Sequence, residues 1–280
     1  MERAWGRWLV AAVITVTVGG CGTPGDGDLV DDWTAMVDAK AKVPGVGCHD
    51  APVRFIYETN TVTRPPISCD EAHTIETFHV GQVPDALTAS PSEGSADYVR
   101  LFEACEGLAV EFLGGQWFDA RVGLGVTVPS SLQWEGGGRW FRCDLMETVN
   151  TSDAVSRRRG TVRNLAKADA AVARRCFTAV GLQSDGRWDY LNPTDCTQPH
   201  DAEYAGAFKV PGTQRPTDPK GSGLYKQCYD VIDRYVTGSS RLGYMASLGS
   251  QRVWNRGDHY VRCYAWHDKG EVTGSVKGTG

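Results

Sequence analysis

Apolar side chains recur at helical spacing twice in the chain, at Leu101, Cys105 and Leu108 and again at Leu224, Cys228 and Val231. That period belongs to a helix with one stripe turned to a core. Ser95 and Ser222 stand where an N-cap is wanted, and Gly114 and Gly238 where a helix stops. Period-two alternation marks strands instead: Phe141, Cys143, Leu145 and then Val261, Cys263, Ala265 put a cysteine on the buried face of each. Further strands are predicted at Val53 to Glu58, Thr74 to Val80, Arg121 to Val128, Phe177 to Val180, Trp188 to Leu191, Glu203 to Val210 and Gly243 to Leu248. Ser184-Asp185-Gly186-Arg187 supplies turn chemistry between two of them. Strands with a single main helix per half predict an α+β architecture of small antiparallel sheets.

The amino terminus carries an apolar run of another kind. Arg3 and Arg7 precede the uncharged stretch Trp8 to Val18, which has the regions of an export signal and falls short of the ~20 residues of a spanning helix. Val18-Gly19-Gly20-Cys21 follows and resembles a bacterial lipobox, an aliphatic residue and two small ones before the cysteine that is lipidated. Small residues let the chain lie extended in a peptidase cleft, and the thiol is the only nucleophile there for a thioether-linked diacylglycerol. The expectation is a signal peptide over 1–20, acylation of Cys21 and a lipidated tether over 21–47. Two acyl chains, at about 0.8 kcal/mol per buried CH2, anchor a protein stably.

Removing Cys21 to the lipid leaves eight cysteines, and they fall into two quartets. Cys48, Cys69, Cys105 and Cys143 are separated by 21, 36 and 38 positions, and Cys176, Cys196, Cys228 and Cys263 by 20, 32 and 35. Their surroundings match as well. Cys69-Asp-Glu-Ala-His73-Thr-Ile-Glu76 faces Cys196-Thr-Gln-Pro-His200-Asp-Ala-Glu203, a shared C-x3-H-x2-E, and Trp134-x2-Gly137-x2-Trp140-x-Arg142-Cys143 faces Trp254-x2-Gly257-x2-Tyr260-x-Arg262-Cys263. Two copies of one domain follow. Three connectivities are possible within a quartet. A helix meeting the last strand through its sulfur favours Cys105 with Cys143 and Cys228 with Cys263, leaving Cys48 with Cys69 and Cys176 with Cys196. An even set of paired cysteines fits an oxidising compartment. The domains are expected at 48–149 and 175–268, with a linker over 150–174, exposed around Arg157-Arg158-Arg159, and a flexible tail over 269–280. Each copy is expected to unfold on its own when reduced.

Composition narrows the function classes. With 41% hydrophobic and 22% charged residues the 280-residue chain is neither disordered, collagenous nor multi-pass. A net charge of -5 argues against a nucleic-acid partner. His73 with Glu76 and His200 with Glu203 are the obvious metal or acid-base candidates, since H-x2-E on a helix shares a face. Pro199 and the alternation after it suggest loop into strand, where positions three apart point to opposite faces. The imidazoles are therefore expected to hydrogen-bond their turns and the carboxylates to satisfy backbone donors or a neighbouring arginine, with Arg142 and Arg262 as candidate partners, and no metal or other cofactor is expected. Ala246-Ser247-Leu248-Gly249 is only half of a nucleophile elbow, and a G-x4-G-K-[ST] phosphate loop is absent. Trp134 and Trp254 recur beside a half-cystine and read as core. Trp117, Trp188 and Trp266 do not recur as a pair and are the candidates for a binding surface.

From Cys196-Thr-Gln-Pro-His200-Asp201-Ala202-Glu203 onward, with its aromatic strand and helical cysteine, the second copy resembles the septum formation domain of actinobacterial envelope proteins. The pattern fits Arg175 to Trp266, and 48–146 resembles a divergent copy in which Asp-Glu-Ala replaces Thr-Gln-Pro. The resemblance implies an exported, membrane-attached protein linked to cell division, and it supplies no catalytic residues. The expectation is a non-enzymatic adaptor or binding module on the extracytoplasmic face of the cell membrane. Its partners are the membrane, through the anchor, and peptidoglycan or another envelope protein. The alternative is an envelope hydrolase or metal-binding protein using the His/Glu pairs.

Overall fold

Each cysteine quartet closes one antiparallel sheet under one long helix. The computed structural model describes residues 41–51, 65–152, 154–167, 175–184, 188–217, 223–237, 242–267 and 270–278. Cys21, the signal and the strand expected at Val53 to Glu58 lie outside them. In the first copy the strands are β1 (Gly47–His49), β2 (Ile75–Gln82), β3 (Val122–Thr127) and β4 (Trp140–Glu147), in the order β1-β2-β4-β3. Helix α1 (Ala96–Leu113) stands between β2 and β3, and the short α2 (Ser131–Glu135) between β3 and β4. The second copy repeats the plan with β5 (Cys176–Val180), β6 (Tyr190–Thr194), β7 (Ala202–Lys209), α3 (Leu224–Val236), β8 (Gly243–Leu248), α4 (Gln251–Asn255) and β9 (Tyr260–Trp266). Its order is β6-β5-β7-β9-β8. Strand β6 lies at the sheet edge, where Pro193 is tolerated because no ladder donor is missed there. Both copies carry a register shift at the same place in the second common strand, between Thr77 and His79 and between Tyr204 and Gly206.

Local chemistry explains the helices. Ser95 caps α1 by accepting from the Tyr98 amide, and Gly114 ends it in the left-handed region at φ 73°. The buried stripe runs Leu101, Cys105, Ala109, Leu113, while Leu108 is 36% exposed. The expected stripe thus continues at i+4 rather than i+3 past Cys105. Helix α3 starts at Gly223 and ends on Thr237 at φ 55°, and Ser222 and Gly238 lie outside the described residues. The two five-residue helices had no sequence expectation. They carry Trp134 and Trp254 into the interior, each capped by a serine.

All eight quartet cysteines are paired, Cys48 with Cys69, Cys105 with Cys143, Cys176 with Cys196 and Cys228 with Cys263. The second and fourth of these bridges pin helix to last strand in the middle of each core, where all four half-cystines are fully buried.

The copies are not independent beads. Residues 40–280 form one compact unit. A 3-10 turn at Trp117–Asp119 lies against the sheet face of the second copy that α3 does not cover. Phe118 stacks on Tyr260 with centroids 4.2 Å apart, and Trp117 meets the same ring edge-on at 5.8 Å. Tyr204 donates its hydroxyl to Asp119 at 2.8 Å, and Lys209 reaches Glu106 at 2.8 Å and Glu103 at 3.1 Å. Trp117 is therefore interior, 2% exposed, which corrects its expectation as a binding residue. It fails to recur because it serves the contact between copies, which a single module lacks.

Gly257 lies in this contact. Its φ is 98°, and an added Cβ would collide with the buried Phe102 ring of the first copy. Gly137, its counterpart, has φ 83° and open space around it. Gly257→Ala is expected to lower stability by about 2 to 3 kcal/mol and Gly137→Ala by about 1 kcal/mol, strain alone accounting for the smaller loss. Denaturant unfolding of the two variants measures the difference.

Candidate functional site

The His/Glu pairs do come together, against expectation. His200 forms an isolated bridge with Val272, Asp201 bends, and β7 begins at Ala202. One bent residue resets the alternation, so His200 and Glu203 share a face and His200 Nε2 lies 3.1 Å from Glu203 Oε1. His73 and Glu76 flank a bend at Thr74 in the same way. Each pair also approaches a half-cystine, Cys48 or Cys176, with the candidate ligand atoms within 4.8 Å of one another. Those sulfurs are spent in disulfides, so neither offers the thiolate a metal would take.

The remaining donors tie these groups into the fold. His73 Nδ1 donates to the Glu71 carbonyl at 2.8 Å and His200 Nδ1 to that of Gln198 at 2.9 Å. Glu76 accepts from the Thr161 hydroxyl and the Val162 amide, both at 2.6 Å. Glu203 accepts from the Val276 amide at 2.8 Å, the Ser275 hydroxyl at 2.7 Å and the Tyr235 hydroxyl at 3.0 Å. His267 Nε2 stands 3.7 Å from the same carboxylate. Burial by itself would push the Glu203 carboxyl up. The groups around it, His267, Ser275, His200 and the Val276 amide, outweigh that and hold it at about 2. Burial pushes the Tyr235 phenol up to about 12. Arg142 and Arg262 are not the partners of these carboxylates: Arg142 pairs with Asp144 at 2.7 Å and Arg262 with Asp258 at 3.0 Å.

The Thr161 and Val162 donors to Glu76 and the Ser275 and Val276 donors to Glu203 come from the segments expected to be a linker and a flexible tail. Arg158 bridges His73 as Val272 bridges His200, and the amides of Gly160 and Gly274 donate to the carbonyls of Cys69 and Cys196. Further on, the Asn164 and Gly278 amides donate to Phe112 and Tyr235 in the main helices. Each copy is thus latched by a strap, and the repeat includes Gly160-Thr161-Val162-Arg163 opposite Gly274-Ser275-Val276-Lys277. That short match was the signal available in the sequence.

A different part of the second copy is open. A cleft of about 510 Å³ is lined by Trp188, Arg215, Tyr225, Ser247, Arg262 and Tyr264, with Thr151 and Ser152 of the connecting segment at its edge. That volume is within the range of about 300 to 1,000 Å³ of small-molecule sites. Trp188 is half-buried, packing against the cluster of Phe177 and Tyr264, and Trp266 joins the same cluster without lining the cleft. Of the three tryptophans expected to form a surface, the cleft takes Trp188 alone. Burial works against the Arg262 charge, but Asp258 more than offsets it and pushes the guanidinium pKa up.

The septum formation model matches residues 48–263, from the first cysteine of the first quartet to the last of the second. The chain belongs to the septum formation family. The match spans both copies, so the duplicated unit is the family's unit and not a fusion of one family domain with a stray module. Membership connects the protein with cell division or the cell envelope. No curated protein and no solved structure matches the chain. Among the described residues, no helix is long and apolar enough to cross a membrane.

Proposed function

We propose that this septum formation protein is a lipid-anchored binding module on the extracytoplasmic face of the cell membrane, without chemistry of its own. The observation that carries the reading is the complete pairing of eight cysteines in four buried or half-buried bridges, an arrangement that persists in an oxidising compartment. It leaves Cys21, in its lipobox-like setting, as the one cysteine outside the bridges. A nucleophile or metal reading finds little support, because the Glu76 and Glu203 carboxylates latch the straps and the neighbouring half-cystine sulfurs are spent in disulfides. Peptidoglycan or another envelope protein is the partner class this favours.

Intact-mass measurement of the protein from the membrane fraction tests the anchor. The expected result is a chain beginning at Cys21 with a diacylglyceryl adduct; an unacylated, freely released chain overturns it. A tagged, acylated form is expected to concentrate at division sites, and uniform envelope labelling removes the septal role.

A further inference from the structure

The duplication supplies an internal reference for the cleft. On the face of the first sheet away from α1, Arg142 pairs with Asp144, and Asp144 also accepts from Thr77 at 2.6 Å and Thr127 at 3.1 Å. The four groups satisfy one another and are buried. Strand register places Tyr204, Ser247, Arg262 and Tyr264 at the corresponding positions of the second sheet. There the network is not closed. Tyr264 replaces the central carboxylate, Arg262 turns to Asp258, and Tyr204 donates to Asp119 of the first copy. Two buried polar atoms in the cleft lining are left without a hydrogen-bond partner, the Tyr264 hydroxyl and Arg262 Nε. An unsatisfied buried donor costs about 1 to 3 kcal/mol, so its retention calls for a ligand or an ordered water to meet it.

The lining also indicates the ligand's chemistry. Two arginines, Arg215 and Arg262, are balanced by two aspartates, Asp189 and Asp258, so the cleft asks for no net charge. Aromatic rings at the half-buried Trp188 and Tyr225 offer flat apolar surface beside these polar groups, above the buried Tyr264. A ligand that matches carries many hydroxyls, each both donor and acceptor, and an apolar C–H face. We propose that the cleft binds a short uncharged saccharide, with Trp188 as the stacking wall and Tyr264 and Arg262 meeting ring or hydroxyl oxygens. The assignment rests on the binding-module reading and gives it a ligand class.

Calorimetric titration of the full chain, held in a sugar-free zwitterionic detergent, tests it with chitobiose and cellobiose as probes and a glutamate-rich peptide as the anionic comparator. At least one disaccharide is expected to bind saturably, with affinity reduced about tenfold or more in Trp188→Ala and in Tyr264→Phe. Tyr264→Phe removes an unpartnered hydroxyl, so its Tm is expected to equal or exceed that of the wild type while binding weakens. A purely structural role would move Tm and spare binding. No heat with either disaccharide up to about 20 mM, equal binding in both variants, or peptide binding lost in the same variants overturns the assignment. If saccharide binding fails in a chain that is acylated at Cys21 and localised at the septum, the ligand class is wrong and the envelope reading stands. If acylation fails, the envelope reading falls and the titration is unaffected.

Discussion

Glu203→Ala is expected to lower stability by about 3 to 5 kcal/mol and to free the last strap from the second copy. The carboxylate is fully buried, and it is the common acceptor for His200, Tyr235, Ser275 and the Val276 amide. Truncation leaves the buried His200 and the half-buried Tyr235 and Val276 donors without their acceptor, while the exposed Ser275 hydroxyl can turn to water, so the loss combines the hydrogen bonds themselves with the desolvation of the groups that stay covered. Denaturant unfolding gives the magnitude. Hydrogen exchange at Val276 and Gly278 reports the strap, and both amides should lose protection ahead of β9. Unchanged protection would mean that the strap is held by something other than the carboxylate.

The same group predicts the acid response. Its pKa is depressed in the folded state, from 4.5 to about 2. The stabilisation is therefore complete above pH 4.5 and is lost as pH falls from 4.5 towards 2, by about 3 kcal/mol over that window. His200, His267 and Tyr235 are the titratable groups facing it. Glu203→Gln keeps an acceptor of the same shape and cannot titrate, so its stability should be lower at neutral pH but flatter through the acid window. A variant with the wild-type acid slope would place the acid sensitivity elsewhere.

Removing the Cys228 to Cys263 bridge, as Cys228→Ala with Cys263→Ala, is expected to cost about 4 kcal/mol and to bring both copies down together. Closing a loop of 35 residues limits the unfolded ensemble by about that amount in the chain-entropy picture. Duplicate modules, each with its own bridges, suggest separate unfolding. The aromatic contact of Trp117 and Phe118 with Tyr260 argues for the opposite, because unfolding the second sheet strips cover from the first copy's core. One transition, shifted to lower denaturant with an undiminished slope, is the expected result by fluorescence and circular dichroism. A first copy that keeps a transition of its own at the wild-type midpoint would make the contact energetically idle.

Much of the local plan was legible. Ser95 and Gly114 bounded α1 because caps act within one turn of the chain. Strand β8 runs from Gly243 to Leu248, the span its alternation indicates, and the expected run at Trp188 to Leu191 proved to be an edge strand from Tyr190 to Thr194. The His/Glu geometry departs from the sequence expectation because alternation holds only in unbroken extended chain. The bends at Thr74 and Asp201 have no marker in composition.

The sequence alone determined that there are two copies, which cysteines belong to each, and the family to which they point. Those properties are carried by spacing, and spacing survives in one dimension. Tertiary structure decided what each repeated residue is for. Arg142 and Arg262 occupy equivalent positions on equivalent strands, yet one is sealed into a network by Asp144 and the other lines a cleft beside Tyr264. The difference lies in neighbours from other strands, and in a first copy packed on the second copy's sheet. Such contacts depend on distances between residues remote in sequence, which no local pattern encodes.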